Sequence, residues 1–241
     1  MLTYIFVLVV GLVAGTLSGI IGTGASIMLL PVLVIGFGAK QAVPIMAIAA
    51  VMNNIGKAVA WWREIDWRAC VVYSITGIPG AALGARTLVS LPEHAVDAAL
   101  GAFFLLMIPL GHWLHVKKFS MPLWQLAVVG LVVGFLTGIV VSTGPLSVPA
   151  FTAYGLVKGA FIATEAASSL MLYISKIITF RGLGALPVEA IAQGLITGSS
   201  LIVGAFAAKW VVLRMSQTAF RLLLDALLLV SGTTMLVEAF L

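Results

Sequence analysis

Two stretches of this 241-residue chain set helix-breaking and hydroxyl residues side by side: Gly22-Thr23-Gly24-Ala25-Ser26 and Ser142-Thr143-Gly144-Pro145-Leu146-Ser147. Glycine lets a helix unwind, and Thr or Ser caps the helix that restarts. Pro145 suits the first turn of such a helix, where its missing N–H costs nothing. A restarted helix presents free N–H donors and the positive end of its dipole. Two such ends in mid-membrane make an anion site without any full positive charge. Discontinuous helices at corresponding places in two repeats are a direct sequence pointer to a transporter site. The plainer reading, two flexible kinks packed against neighbours, has to explain why the breaks recur at matching positions.

Charged residues lie near these breaks. Lys57 stands six residues before Arg63, about 9 Å along a helix, and Lys176 five before Arg181. Each lysine either snorkels to the membrane surface or stays inside to attract an anion. Asn53, Asn54 and Tyr173, three or four residues upstream of their lysine, share its helix face and either bind substrate or join helices. Glu165 is the most deeply placed carboxylate and, eleven residues from Lys176, lies on the same face. At that depth it is a candidate proton carrier or the structural partner of a basic group.

Other polar residues point to plainer roles. Asp225 can pair with Arg221 one turn away, and Asp97 precedes a similar leucine-rich run. His112 and His115, beside Trp113, Lys117 and Lys118, read as an interfacial helix end; no third metal ligand is close. There is no H-E-x-x-H, P-loop, G-x-S-x-G or Rossmann fingerprint, so neither a cofactor nor a metal is expected. An intramembrane enzyme would need a clustered acid, base and nucleophile, and only Glu165 with scattered hydroxyls is present.

The elements that must hold these residues follow from composition. The chain is 62% hydrophobic and 9% charged, whereas soluble domains carry about 25% charged residues. Such a chain cannot cover its apolar surface in water. About 20 apolar residues span a bilayer, and eight stretches qualify, near 2–21, 41–62, 69–90, 94–115, 122–141, 159–180, 188–211 and 218–241. Two shorter ones, near 24–37 and 144–156, each follow a glycine break and suit broken or re-entrant helices. The expected fold is an all-α polytopic membrane protein, a single membrane domain over 1–241. The opening Met1-Leu2-Thr3-Tyr4, without a basic n-region, reads as the start of the first span. Cys70, the single cysteine, reads as a small packing residue. The net charge of +5 reads as a topology signal, not a nucleic-acid surface.

An internal repeat runs through the chain. Gly11, Gly15, Gly19 and Lys57 recur 119 residues later as Gly130, Gly134, Gly138 and Lys176. Thr23-Gly24, Pro31, Arg63, Gly77 and Gly84 find Thr143-Gly144, Pro149, Arg181, Gly198 and Gly204 at slightly drifting offsets. Repeat 1 is 1–118 and repeat 2 is 119–241. If each short segment crosses, each half has five crossings and the second half is inverted. With both termini outside, Arg63, Arg68, Lys117, Lys118, Lys158, Lys209, Arg214 and Arg221 then lie on the inner side. Only Lys40, Arg86 and Arg181 lie outside, in keeping with the positive-inside rule. Re-entrant short segments would make the repeats parallel instead.

The glycine ladder from Gly11 to Gly19, then Gly22-Thr23-Gly24 and Pro31-Val32-Leu33, resembles the opening of the sulfite exporter TauE/SafE family. Trp61 to Arg68 is similar to that family's loop after the next span, and Gly80 to Arg86 with Leu91-Pro92 to its third span and exit. Gly130 to Pro149 resembles a second copy of the opening. The resemblance implies a multi-pass transporter of sulfite, sulfonates or related organic anions in a cytoplasmic membrane. Where the family has consecutive glycines this chain has Thr-Gly-Ala-Ser and Thr-Gly-Pro-Leu, whose hydroxyls and bulk bear on which anion fits. The expected partners are a small anion and the lipid bilayer. Proton coupling and self-association as a homo-oligomer stay open, as do the readings of a channel or scaffold subunit and an intramembrane enzyme.

Overall fold

The computed structural model describes residues 2–21, 25–116, 121–140 and 144–211, with 229, 233, 236 and 237. The long helices among them are α1 (Leu2–Ile21), α3 (Ala39–Ala60), α4 (Trp67–Ser90), α5 (Glu93–Val116), α6 (Leu123–Val140), α8 (Lys158–Gly182) and α9 (Val188–Val211). The short ones are α2 (Ala25–Phe37) and α7 (Gly144–Tyr154). No strand occurs among the described residues. The helices fall where the apolar stretches put them, and the stretch near 218–241 lies almost wholly outside the described residues. Lys40–Ala60, Leu123–Val140 and Gly159–Gly182 are each long and apolar enough to cross a membrane by length and composition alone.

Local chemistry sets the helix ends. Only Gly38, at φ 77°, separates α2 from α3, so the short helix turns straight back onto the next. Beyond α7 the Leu156 N–H donates to the Phe151 carbonyl and the Gly155 N–H to that of Thr152. This is a Schellman closure that needs the positive φ of Gly155, and Gly184 closes α8 in the same way. Asp66 caps α4, its carboxylate accepting from the Arg68 and Ala69 N–H groups at 3.0 and 3.1 Å. The Asp66 N–H donates to Thr164 Oγ1 at 2.9 Å, which ties this cap to α8.

The packing is reciprocal between the two halves of the chain. The first helix of each half lies on the fourth helix of the other: α1 on α9, and α6 on α4. The glycine ladders make both crossings. A Cβ at Gly134 would fall on the Gly77 carbonyl, and one at Gly138 would meet the Ala81 carbonyl and Gly84 Cα at 2.6 Å. On the other side a Cβ at Gly15 would strike the Leu201 backbone, and one at Gly204 the Leu12 carbonyl. Such small-residue seams let backbones meet where lipid offers no hydrophobic drive between helices. Between the two crossed pairs, α3 and α8 pack on each other, α3 also on α9 and α8 also on α4.

Candidate functional site

The helices described on either side of residues 22–24 and 141–143 are held by partners from α3 and α8. In the last turn of α1, Ser18 Oγ accepts a hydrogen bond from Asn53 Nδ2 of α3 at 3.1 Å. In the last described turn of α6, 119 residues after Ser18, the Thr137 carbonyl accepts from Lys176 Nζ of α8 at 2.7 Å. The last four carbonyls of a helix lack intrahelical donors, and a cation there also meets the negative end of the dipole. Lys176 thus bonds a carbonyl in the last described turn of α6.

On the far side of the breaks the partners both come from α8. Ser26, in the first turn of α2, is hydrogen-bonded to the Tyr173 hydroxyl. Ser147, in the first turn of α7, donates to Glu165 Oε1 at 3.5 Å, and Ser169 donates to the same oxygen at 2.9 Å. The other oxygen, Oε2, faces Lys57 Nζ of α3 at 3.8 Å. This ion pair joins the two halves. One face of α8, from Glu165 through Ser168, Ser169 and Tyr173 to Lys176, thus reaches both short helices and the end of α6. It is largely buried, and among the described residues the Ser168 hydroxyl on it, and Asn53 Oδ1 of α3, have no hydrogen-bond partner. Buried polar atoms without partners are rare enough to mark a site.

The structure decides several alternatives that spacing left open. Neither lysine snorkels: Lys57 is 6% exposed and Lys176 fully buried. Glu165 pairs with Lys57 across the halves, although Lys176 shares its helix face. Asn53 and Tyr173 join helices, and Asn54 is buried beside them. Cys70 is a buried packing residue. Gly144 and Pro145 open α7. Gly22, Thr23, Gly24, Ser142 and Thr143 lie outside the described residues, as does Asp225. Sequence reasoning missed Ser18, Thr137 and Thr164. For the first two a signal existed, because they too recur at the repeat offset.

Residues 7–235 match the sequence profile of the sulfite exporter TauE/SafE family. The chain belongs to that family. No individually curated protein and no solved structure matches it. Family membership and the apolar helices together make it a multi-pass membrane protein, among transporters of sulfite or related anions.

Proposed function

We propose that the chain is a secondary transporter of small sulfur-containing or related organic anions across the cytoplasmic membrane. The anion binds between the two broken helices, near Thr23, Gly24, Ser26, Thr143, Gly144 and Ser147. The observation that carries this reading is the buried polar face of α8, which reaches the first turns of both short helices. An anion at that depth needs donors in place of its water, and two helix starts supply N–H groups with about half a positive charge each. A site of this strength also releases its ion, which transport requires. Glu165 carries a coupling proton or supports the gate through Lys57. An enzyme would need a reactive cluster that Glu165 and hydroxyls alone do not make, and a scaffold has no use for two mirrored breaks. Flux is the test. Purified protein in proteoliposomes should take up labelled sulfite down its gradient, and liposomes that stay impermeable to it would end this reading.

The eight long apolar stretches are read as spans, and the halves as inverted repeats. The reciprocal crossing of α1 with α9 and α6 with α4 supports that symmetry. Single cysteines at positions 64 and 117, with Cys70 replaced by alanine, should react with an impermeant maleimide from the cytoplasm. Those at positions 90 and 185 should react from outside. Labelling of 90 and 117 from one side would contradict the inversion.

A further inference from the structure

Among the described residues three charged side chains are buried: Lys57, Glu165 and Lys176. These two lysines and one carboxylate carry a formal charge of +1 between them. Geometry says where it is. Lys57 Nζ stands 3.8 Å from Glu165 Oε2, so its charge is already compensated. Lys176 Nζ has no carboxylate partner among the described residues. It donates to the Thr137 carbonyl at 2.7 Å and lies 5.4 Å from the Phe180 ring centroid. An ammonium has three donors, and one neutral carbonyl does not balance its charge. A buried cation without a counter-ion is strongly disfavoured, and an arriving anion removes that penalty. The surroundings suit such an arrival. One turn before Lys176, Tyr173 holds Ser26 at the start of α2, while Thr137 belongs to the last turn of α6. One turn of α8 thus touches the helix that follows the first break and the helix that precedes the second.

We propose that Lys176 is the counter-ion of the transported anion and that the buried charge set selects an anion of single negative charge. The proposal rests on the anion-carrier reading above. Lys57 cannot play the same part while Glu165 is ionised. A dianion fits only with one more positive charge, which a proton on Glu165 supplies by freeing Lys57. The groups around Glu165 are Lys57 of α3, Ser147 of α7 and Ser169 of its own helix. Tyr73 of α4 and Tyr173 are within electrostatic reach, and Glu64 lies against Gly159 at the start of α8.

The experiment is downhill uptake of labelled sulfite in proteoliposomes, with methanesulfonate, a fixed monoanion, and sulfate, a fixed dianion, as competitors. In the wild-type protein methanesulfonate should compete the more strongly. Lys176→Met should lower uptake at least about a hundredfold, and Lys176→Arg should stay within about tenfold of the wild type. Glu165→Gln mimics the protonated acid, so it should raise the potency of sulfate relative to methanesulfonate about tenfold or more. A Lys57 that only ties α3 to α8 would not move that ratio. Wild-type uptake inhibited more by sulfate, unchanged uptake in Lys176→Met, or an unmoved ratio in Glu165→Gln would each overturn the assignment. If the wild-type protein itself takes up no sulfite, the carrier reading falls first. Uptake that survives Lys176→Met sinks only the role given to Lys176.

Discussion

Sulfite uptake is expected to drop to about 1% of wild type or less when valine replaces Gly24 or Gly144. Gly144 is the first described residue of α7, and in sequence Gly24 directly precedes Ala25, the first described residue of α2. The N–H groups of a first turn have no intrahelical acceptors, and in the proposed site they are the donors to the anion. A β-branched side chain shields those N–H groups and restricts the backbone that presents them. Hydrogen bonds to a charged group are worth about 1.5–3 kcal/mol each, so losing one or two costs roughly a hundredfold or more in occupancy. Alanine, which adds one methyl group, should fall between glycine and valine. Size-exclusion profiles separate a blocked site from a misfolded protein. If both valine variants insert and carry sulfite normally, the anion passes elsewhere.

Glu165→Gln is expected to abolish uptake driven by a pH gradient while leaving expression intact. The same change should destabilise the protein. Removing one member of a buried ion pair leaves the other charge uncompensated, at a cost of about 3–5 kcal/mol. Lys57, 3.8 Å from the carboxylate, is the charge left behind. Glutamine keeps an acceptor for Ser147 and Ser169, so the loss isolates the charge. Adding Lys57→Met should therefore restore most of the stability, because replacing both members of a buried pair is often nearly neutral. Thermal unfolding in detergent reads the stability, and acid-jump uptake in proteoliposomes reads the coupling. Additive losses in the double variant would deny the pair, and intact pH-driven uptake in Glu165→Gln would remove that residue from coupling.

The helices were legible because each leaves a one-dimensional signature: an apolar run of the right length, ended by glycine, proline or charge. The two short helices were legible for the same reason, since Gly24 and Gly144 each stand just before a short apolar run. Spacing along one helix could not find the partner of Glu165. It groups Glu165 with Lys176, three turns away on the same face, whereas the ion pair crosses from α8 to α3. Snorkelling was likewise judged from distance along the chain to Arg63 and Arg181. Burial depends on what packs around a turn, and the crossing of α3 and α8 encloses both lysines. The bond from Lys176 to a backbone carbonyl has no side-chain signature at its acceptor. Only the shared offset of Ser18 and Thr137 pointed towards these helix ends.

The glycine crossings constrain how such a molecule can change shape. Where one backbone rests directly on another, no layer of long side chains is present to absorb sliding, so α4 with α6 and α1 with α9 behave as two stiff beams. Each beam takes one helix from either half of the chain. The halves are interlocked like clasped hands, and one half cannot rock against the other without unseating both beams. The two beams meet where α3 packs on α8, and the Lys57–Glu165 contact crosses that seam. The stiff unit of this fold is therefore the mixed pair of helices, one from each half of the chain.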